Sequence, residues 1–128
     1  MIKTNELRIG NFVSINNGFE MLVHSIFQND TVYLDFIPPL INEADVWEED
    51  YKDLIAIPLT KEWLLKAGFE RLFPTGSTYS LRDFNVSDFG ENGIYHYDVK
   101  QPIKYVHQLQ NLYFAMTGEE LVFSSTEP

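Results

Sequence analysis

The sequence predicts one α+β domain over residues 1–128, and three features lead to that prediction. The first third of the chain alternates β-branched and aromatic runs with turn signals, as antiparallel strands require. A stretch near the C terminus has the apolar spacing of a helix. Hydrophobic residues make up 45% of the chain and aromatic residues 15%, which is enough to fill a core at this length. The expected fold is an antiparallel, partly curled (SH3-like) N-terminal sheet, a short helix, further strands and a long C-terminal helix packed on the sheet.

Three strands are expected in the N-terminal sheet, at Phe12–Ile15, Phe19–Phe27 and Thr31–Phe36, because each run is rich in residues that favour strands. Asn16-Asn17-Gly18 is a strong hairpin signal, since asparagine and glycine accept the positive φ of tight hairpin turns. Gln28-Asn29-Asp30 is the expected second turn. These consecutive antiparallel strands make the curled sheet.

The segment after this sheet is strongly acidic. Ile37-Pro38-Pro39 ends the meander, because proline cannot donate to a strand ladder. Residues 42–53 then carry six carboxylates against the single cation Lys52. A solvated loop or a frayed helical turn is expected there, with Trp47 and Tyr51 pinning one face of the turn to the body of the protein.

A short helix is predicted between Thr60 and Gly68, because Thr60 suits the N-cap and Gly68 the left-handed position after the last turn. Trp63, Leu64 and Ala67 are expected to face the core. Further strands are predicted at residues 69–73, 79–81, 84–89 and 94–99, with turn signals at 74–76 and 90–93.

The clearest helical pattern runs from Pro102 to Thr117, since proline is favoured in a first turn and Gly118 supplies a stop. At 100° per residue, His107 falls opposite an apolar arc that is expected to pack on a sheet. A last strand at residues 119–123 and a loose tail at 124–128 complete the chain. The arc consists of Tyr105, Val106, Leu109, Leu112, Tyr113 and Met116.

Charge is the part of the composition that bears most on function. Nineteen acidic residues against nine basic ones give a formal net charge of −10. This charge opposes binding to phosphate backbones, so we expect no nucleic-acid partner. The chain has no cysteine, hence no disulfide framework or thiol nucleophile. Because no signal peptide or membrane-spanning apolar run is evident, a cytoplasmic protein without a membrane partner is expected.

Phosphate loops, dinucleotide fingerprints, nucleophile elbows and zinc helices are missing from the sequence, so we predict no catalytic residue, cofactor or metal. Residues 83–87 resemble the start of a calcium loop, but Asp88 stands where glycine is needed and Ile94 where glutamate is needed. A strand is therefore predicted there. His96 and Asp98, two apart on a predicted strand, present an imidazole and a carboxylate on one face. This spacing suits two metal ligands or a base with its orienting acid, and otherwise the two residues lie on an exposed strand face of a polar protein.

Two surfaces are candidates for protein contacts. The acidic segment, with its aromatic residues, suits a basic partner, and otherwise is a solvated loop whose aromatic rings fold onto the core. On the long helix, one stripe is either the edge of a surface for a second copy or a partner, or ordinary core. The candidate partner-binding residues are Trp47, Glu48, Glu49, Asp50 and Tyr51 in the segment and His107, Gln110 and Phe114 on the helix.

Three stretches of the sequence, Glu6–Asn11, Ile57–Glu70 and Tyr105–Leu121, resemble a family of short uncharacterised proteins of gut-type bacteria and of their phages or mobile elements. The resemblance extends over nearly the whole chain and is weakest in the acidic segment and between Pro74 and Val99. It implies no activity, cofactor or site residue.

The sequence therefore predicts a non-catalytic protein-binding or accessory protein, and the resemblance implies a phage or mobile-element origin. Its partner is another protein or a second copy of the chain. A small hydrolase or metal-dependent enzyme centred on His96 and Asp98 is the alternative. An acidic mimic of nucleic acid, which occupies the site of a basic protein, is a third.

Overall fold

The computed structural model describes residues 2, 6–15, 18, 20–27, 31–36, 47–74 and 76–123. Within them the chain forms eight strands and two α-helices, which divide between two compact units, Met1–Ile57 and Pro58–Pro128. Each unit contains an antiparallel sheet, so the α+β class is confirmed. The single domain over residues 1–128 stays a prediction.

The first unit is built around one sheet whose strands follow chain order. The three strands predicted from the sequence are confirmed, and the sheet is partly curled without closing. The predicted turn residues 16–17 and 28–30 lie outside the described residues, and the likeness to an SH3 barrel stays a prediction. The strands are β1 (Phe12–Ser14), β2 (Glu20–Ile26), β3 (Thr31–Phe36) and β4 (Trp47–Asp50).

β4 corrects the prediction of a loop or frayed turn at residues 42–53. It pairs with β3 in antiparallel register, from Leu34 opposite Trp47 to Thr31 opposite Asp50. Acidic residues have a low strand propensity, but the outer backbone groups of β3 need hydrogen-bond partners, and β4 supplies them. Residues 51–53 do form a helical turn, of the 3₁₀ type. Residues 42–46 and the prolines at 38 and 39 lie outside the described residues.

One face of this sheet carries the core of the first unit. Its strands alternate, so that Val23 and Leu34, opposite each other in register, are both buried. A bulge between Val23 and Ser25 shifts the register. Tyr51 packs half-buried against this core. The buried members are Ile2, Leu7, Val13, Ile15, Met21, Val23, Val32, Leu34 and Leu54.

The second unit contains the two α-helices and a second four-stranded antiparallel sheet. The strands of this sheet also follow chain order. Its first and last strands are shorter than predicted, and a 3₁₀ turn, Gly90–Asn92, joins the last two. Residues 119–123 form no strand, contrary to the prediction, and the Phe123 ring packs edge to face on that of Trp63, with 5.4 Å between centroids. The elements are α1 (Lys61–Lys66), β5 (Glu70–Arg71), β6 (Thr78–Leu81), β7 (Phe84–Asp88), β8 (Ile94–His96) and α2 (Val106–Thr117).

The short helix α1 matches its prediction. Thr60 occupies the N-cap position with extended backbone, although its hydroxyl makes no capping hydrogen bond. Trp63, Leu64 and Ala67 are all buried. Gly68 follows the helix with φ of +94°, a conformation that side chains disfavour.

The long helix α2 begins at Val106, four residues later than predicted. The backbone before it is already engaged, because the Ile103 N–H donates to the Ile94 carbonyl at 2.7 Å. Gln108 then caps the helix, its Oε1 accepting the N–H groups of Lys104 at 2.9 Å and Tyr105 at 3.3 Å. These bonds satisfy donors that a helix start leaves unpaired.

Gly118 ends α2 as predicted, with φ of +77° and its N–H bonded to the Phe114 carbonyl at 2.8 Å. The buried face of the helix is turned from the predicted arc toward His107 and Gln110. His107, placed opposite that arc by the sequence, is 1% exposed, whereas Met116 is 48% exposed. No helix among the described residues is both long and apolar enough to cross a membrane.

The core of the second unit lies where α2 packs on the sheet. The rings of Phe84 and Tyr113 meet edge to face at 5.1 Å, which joins β7 to α2. Phe69 extends the same aromatic cluster, 6.0 Å from Phe84. Its buried members are Leu64, Ala67, Phe69, Tyr79, Phe84, Val86, Ile94, Ile103, Leu109, Tyr113 and Leu121.

Candidate functional site

The acidic residues of β4 lie at the edge of the described sheet of the first unit. Glu48 lies opposite Tyr33 and Asp50 opposite Thr31, so their side chains share the face turned away from the core. Glu48 and Asp50 are exposed. Glu49 lies opposite the buried Val32, on the other face, and is half-buried. The predicted acidic segment is thus split between two faces. We call Glu48 and Asp50 the acidic edge.

An aromatic pair stands beside the acidic edge. Phe27 and Tyr33 meet edge to face with ring centroids 5.0 Å apart, and Phe27 is 47% exposed. Trp47 and Tyr51 were predicted as the aromatic members of this surface. Trp47 begins β4, and Tyr51 packs against the core instead. Phe27 was not predicted as a member of this surface. It lies just after the end of β2, and its contact with Tyr33 depends on the register between β2 and β3, which the sequence does not show.

The stripe proposed on α2 is mostly buried. His107 is 1% and Gln110 3% exposed, whereas Phe114 is 40% exposed. The His107 ring stacks parallel to that of Tyr105, with 6.0 Å between centroids. Of the three candidate residues, Phe114 offers the largest accessible surface. Its role in a contact surface stays a prediction.

His96 ends β8 and is 5% exposed. Its ring lies 4.5 Å from that of Phe84, and its Nδ1 accepts the backbone N–H of Asp98 at 3.0 Å. Since a neutral imidazole carries one proton, this bond assigns that proton to Nε2. Burial lowers the pKa of His96 below its usual value of 6.5, although the Asp98 carboxylate opposes the shift. His96 is therefore a neutral hydrogen-bond donor through Nε2.

Asp98 does not share a strand face with His96, so that prediction is wrong. The strand ends at His96, and a turn follows in which the Val99 N–H donates to the His96 carbonyl at 3.2 Å. Aspartate favours such turns. The backbone of Asp98, rather than its carboxylate, orients the imidazole, and an acid–base pair through Nδ1 does not form.

A cavity of about 400 Å³ opens beside His96 in the second unit. Its volume falls in the range of small-molecule sites. The turn between β6 and β7, the turn after β8 and the end of α2 meet there. The lining residues are Arg82, Asp83, Phe84, Asn85, His96, Tyr97, Asp98, Met116, Thr117 and Glu119.

The turn between β6 and β7 holds the charged side of this cavity. Leu81 pairs with Phe84, so only Arg82 and Asp83 connect the strands, with φ of +55° and +79°. Two positive φ angles are what the tightest hairpin turn needs, but asparagine and glycine are its usual residues. Arg82 also forms a hydrogen-bonded ion pair with Glu119, beyond the end of α2.

Arg82 and Glu119 were not predicted as site residues, and Asp83 was considered only as the start of a calcium loop whose pattern fails. The strands predicted at residues 79–81 and 84–89 are separated by only two residues, and this spacing indicates a tight hairpin turn at Arg82 and Asp83. Nothing in the sequence indicated that Glu119 would meet it, because the two lie 37 residues apart. No group of three metal-ligating side chains occurs among the described residues.

Comparison of the chain with protein-family models, curated proteins and solved structures found no match. The resemblance to proteins of gut-type bacteria and their phages or mobile elements, and the origin it implies, stay predictions.

Proposed function

We propose that this protein is a non-catalytic binding protein that recognises a basic segment of a protein partner on the outer sheet face of its first unit. The observation that carries the proposal is the β3–β4 register, which sets Glu48 opposite Tyr33 and Asp50 opposite Thr31. Carboxylates and aromatic rings thereby share one accessible face.

This arrangement suits lysine and arginine side chains. Their charged groups pair with the carboxylates of the acidic edge. Their methylene stems pack along the rings of Phe27 and Tyr33, whose faces also attract the positive charge. An extended segment gains further affinity if its backbone adds to the edge of a sheet, as in other strand-addition complexes. The net charge of −10 speeds encounter with such a partner.

The alternative enzyme centred on His96 and Asp98 has less support. A general base needs a free imidazole lone pair, and that of Nδ1 is occupied by the Asp98 N–H. The remaining nitrogen, Nε2, carries the proton. This geometry favours recognition over proton abstraction.

A model peptide tests the proposal directly. We expect a fluorescein-labelled peptide of alternating lysine and valine to bind in fluorescence anisotropy titrations, more weakly as salt is raised. The same peptide with glutamate in place of lysine should not bind. Glu48→Gln with Asp50→Asn should weaken binding of the lysine peptide by about three- to tenfold, as expected for partly exposed ion pairs.

The matched control is Glu62→Gln with Glu91→Gln, two exposed carboxylates of the second unit that change the net charge equally. It should leave affinity close to that of the unmodified protein. Equal weakening by both double variants would mean that only net charge matters and would overturn the assignment to the acidic edge. Capture of host proteins with the unmodified chain and the edge variant, followed by mass spectrometry, would then identify the natural partner.

A further inference from the structure

The cavity of the second unit contains a buried hydrogen-bond donor for which the described part of the chain supplies no acceptor. His96 lines this cavity and is only 5% exposed. Its Nδ1 accepts the Asp98 N–H at 3.0 Å, which places the imidazole proton on Nε2. Nε2 itself makes no hydrogen bond to any residue that the structure describes.

This donor faces the cavity rather than the core. Nε2 keeps accessible surface, although the centroid of its ring lies 4.5 Å from that of Phe84. The accessible side of the ring is the side that lines the cavity. A buried donor without an acceptor is costly, and native proteins satisfy nearly all such donors with protein groups, water or a bound molecule. Nε2 therefore indicates an acceptor oxygen in the cavity.

Asn85 adds a second polar group to the same lining. It is half-buried, and its side-chain amide makes no hydrogen bond within the described ranges of the chain. A half-turn of the amide group exchanges its oxygen and its nitrogen, so Asn85 can present either a donor or an acceptor. A ligand with both a carbonyl oxygen and an N–H group would satisfy Asn85 and Nε2 of His96 together.

The charged residues of the lining restrict the charge of the ligand. Three carboxylates and one guanidinium line the cavity, and this guanidinium, of Arg82, already pairs with Glu119. A carboxylate ligand would be repelled by the remaining negative charge. An amidinium or ammonium ligand has only donors to set against the Nε2 donor. An uncharged carbonyl compound avoids both conflicts.

We propose that this cavity binds an uncharged small molecule bearing a carboxamide, whose carbonyl oxygen accepts a hydrogen bond from His96 Nε2 and whose N–H group pairs with the Asn85 amide. Met116, 48% exposed, presents an accessible thioether on which the rest of the molecule packs. The cavity volume of about 400 Å³ suits such a molecule. The site lies in the second unit and does not depend on the function proposed for the first.

Three probes of one shape test the site on the full chain. They are the neutral benzamide, the anionic benzoate and the cationic benzamidinium, each titrated while backbone amide and imidazole nitrogen signals are followed by NMR. We expect benzamide to shift the Nε2 signal of His96 and the amide signals of residues 85 and 96–98. Benzoate and benzamidinium should each bind at least about threefold more weakly. Either ion binding as tightly as benzamide, or no response of His96 to about 20 mM benzamide, would overturn the proposal.

Variants of His96 separate the donor from the ring. His96→Phe keeps an aromatic ring but removes Nε2, and it should weaken benzamide binding by about three- to tenfold. His96→Gln should keep most of the affinity, because the glutamine amide supplies an N–H donor near the same position. The matched control is His24→Phe, at an exposed histidine of the first unit, which should change nothing. Equal losses in both His96 variants would mean that ring packing, rather than the donor, holds benzamide.

Asn85→Ala provides a test that leaves the His96 ring in place. It should weaken benzamide binding by about three- to tenfold, because the N–H group of the ligand loses its partner. Backbone amide spectra show whether each variant is folded. Unchanged affinity in folded Asn85→Ala would contradict the proposed pairing, whatever the outcome for His96→Phe.

A glutamine side chain of another protein carries the same carboxamide as a free small molecule. Nα-acetyl-glutamine methylamide distinguishes the two sources. We expect it to bind more weakly than benzamide, because its flexible chain loses more conformational freedom on binding. Tighter binding of the glutamine derivative would assign the cavity to a protein partner and overturn the small-molecule assignment.

Discussion

The buried imidazole of His96 links the stability of the second unit to pH. Its ring packs against Phe84 and its Nδ1 is bonded to the Asp98 N–H, so the folded protein holds it neutral. In the unfolded chain the same group takes up a proton at its usual pKa of about 6.5. Burial lowers the folded pKa below that value. The unfolded state therefore binds more protons as the pH falls below 6.5, and the folded state loses relative stability.

We expect the free energy of unfolding to fall as the pH is lowered through this window, and part of that fall to vanish in His96→Phe. Phenylalanine keeps an aromatic ring against Phe84 but does not titrate. Urea denaturation at a series of pH values between about 7 and 5 measures the difference. Carboxylates contribute equally to both proteins, so parallel pH curves would show that His96 is not the responsible group.

Two neighbouring residues of α2 show how burial divides one helix into structural and accessible sides. Tyr113 is 2% exposed and packs on Phe84, whereas Phe114 is 40% exposed. We expect Tyr113→Ala to lower the free energy of unfolding by about 3–5 kcal/mol, and Phe114→Ala by about 1–2 kcal/mol. Chemical denaturation measures both.

The same pair tests the contact surface predicted on α2. If Phe114 belongs to an interface, Phe114→Ala should change the oligomeric state or partner binding in analytical ultracentrifugation while the monomer stays folded. A loss of stability as large as that of Tyr113→Ala, with association unchanged, would place Phe114 in the core.

Elements with complete local signals were predictable, and those that depend on distant partners were not. α1 has its cap, apolar spacing and terminal glycine within nine residues, from Thr60 to Gly68. β4 exists because β3 offers an unpaired edge, which local propensity does not reveal. The start of α2 was misplaced because Ile103 is held by Ile94.

The candidate sites follow the same rule. His96 and Asp98 were selected from spacing alone, and the cavity does contain both. Their relation was wrong, because a turn rather than a strand joins them. Arg82 and Glu119 could not be paired from sequence, since only the packing of α2 beside the β6–β7 turn brings them together.

At the scale of the whole molecule, the two cores are the main organising feature. One is built from residues between Ile2 and Leu54 and the other from residues between Leu64 and Leu121. Each has its own sheet. Separate cores favour separate cooperative units in hydrogen exchange.

We expect Leu34→Ala, at a fully buried position of β3, to cost about 2–5 kcal/mol and to reduce amide protection mainly in the first unit. Protection of α2 should change much less. Native-state hydrogen exchange measures both units in one sample. A uniform loss of protection over the whole chain would instead support the single domain predicted from the sequence.

The acidic edge of β4 has a consequence for the purity and handling of the protein. An exposed strand is a template on which another copy of the same chain can add, and this is a common route to aggregation. Glu48 and Asp50 oppose that route, because two approaching copies bring like charges together. Buffers of low ionic strength preserve this repulsion. Concentrated salt screens it and favours the growth of insoluble material from this strand.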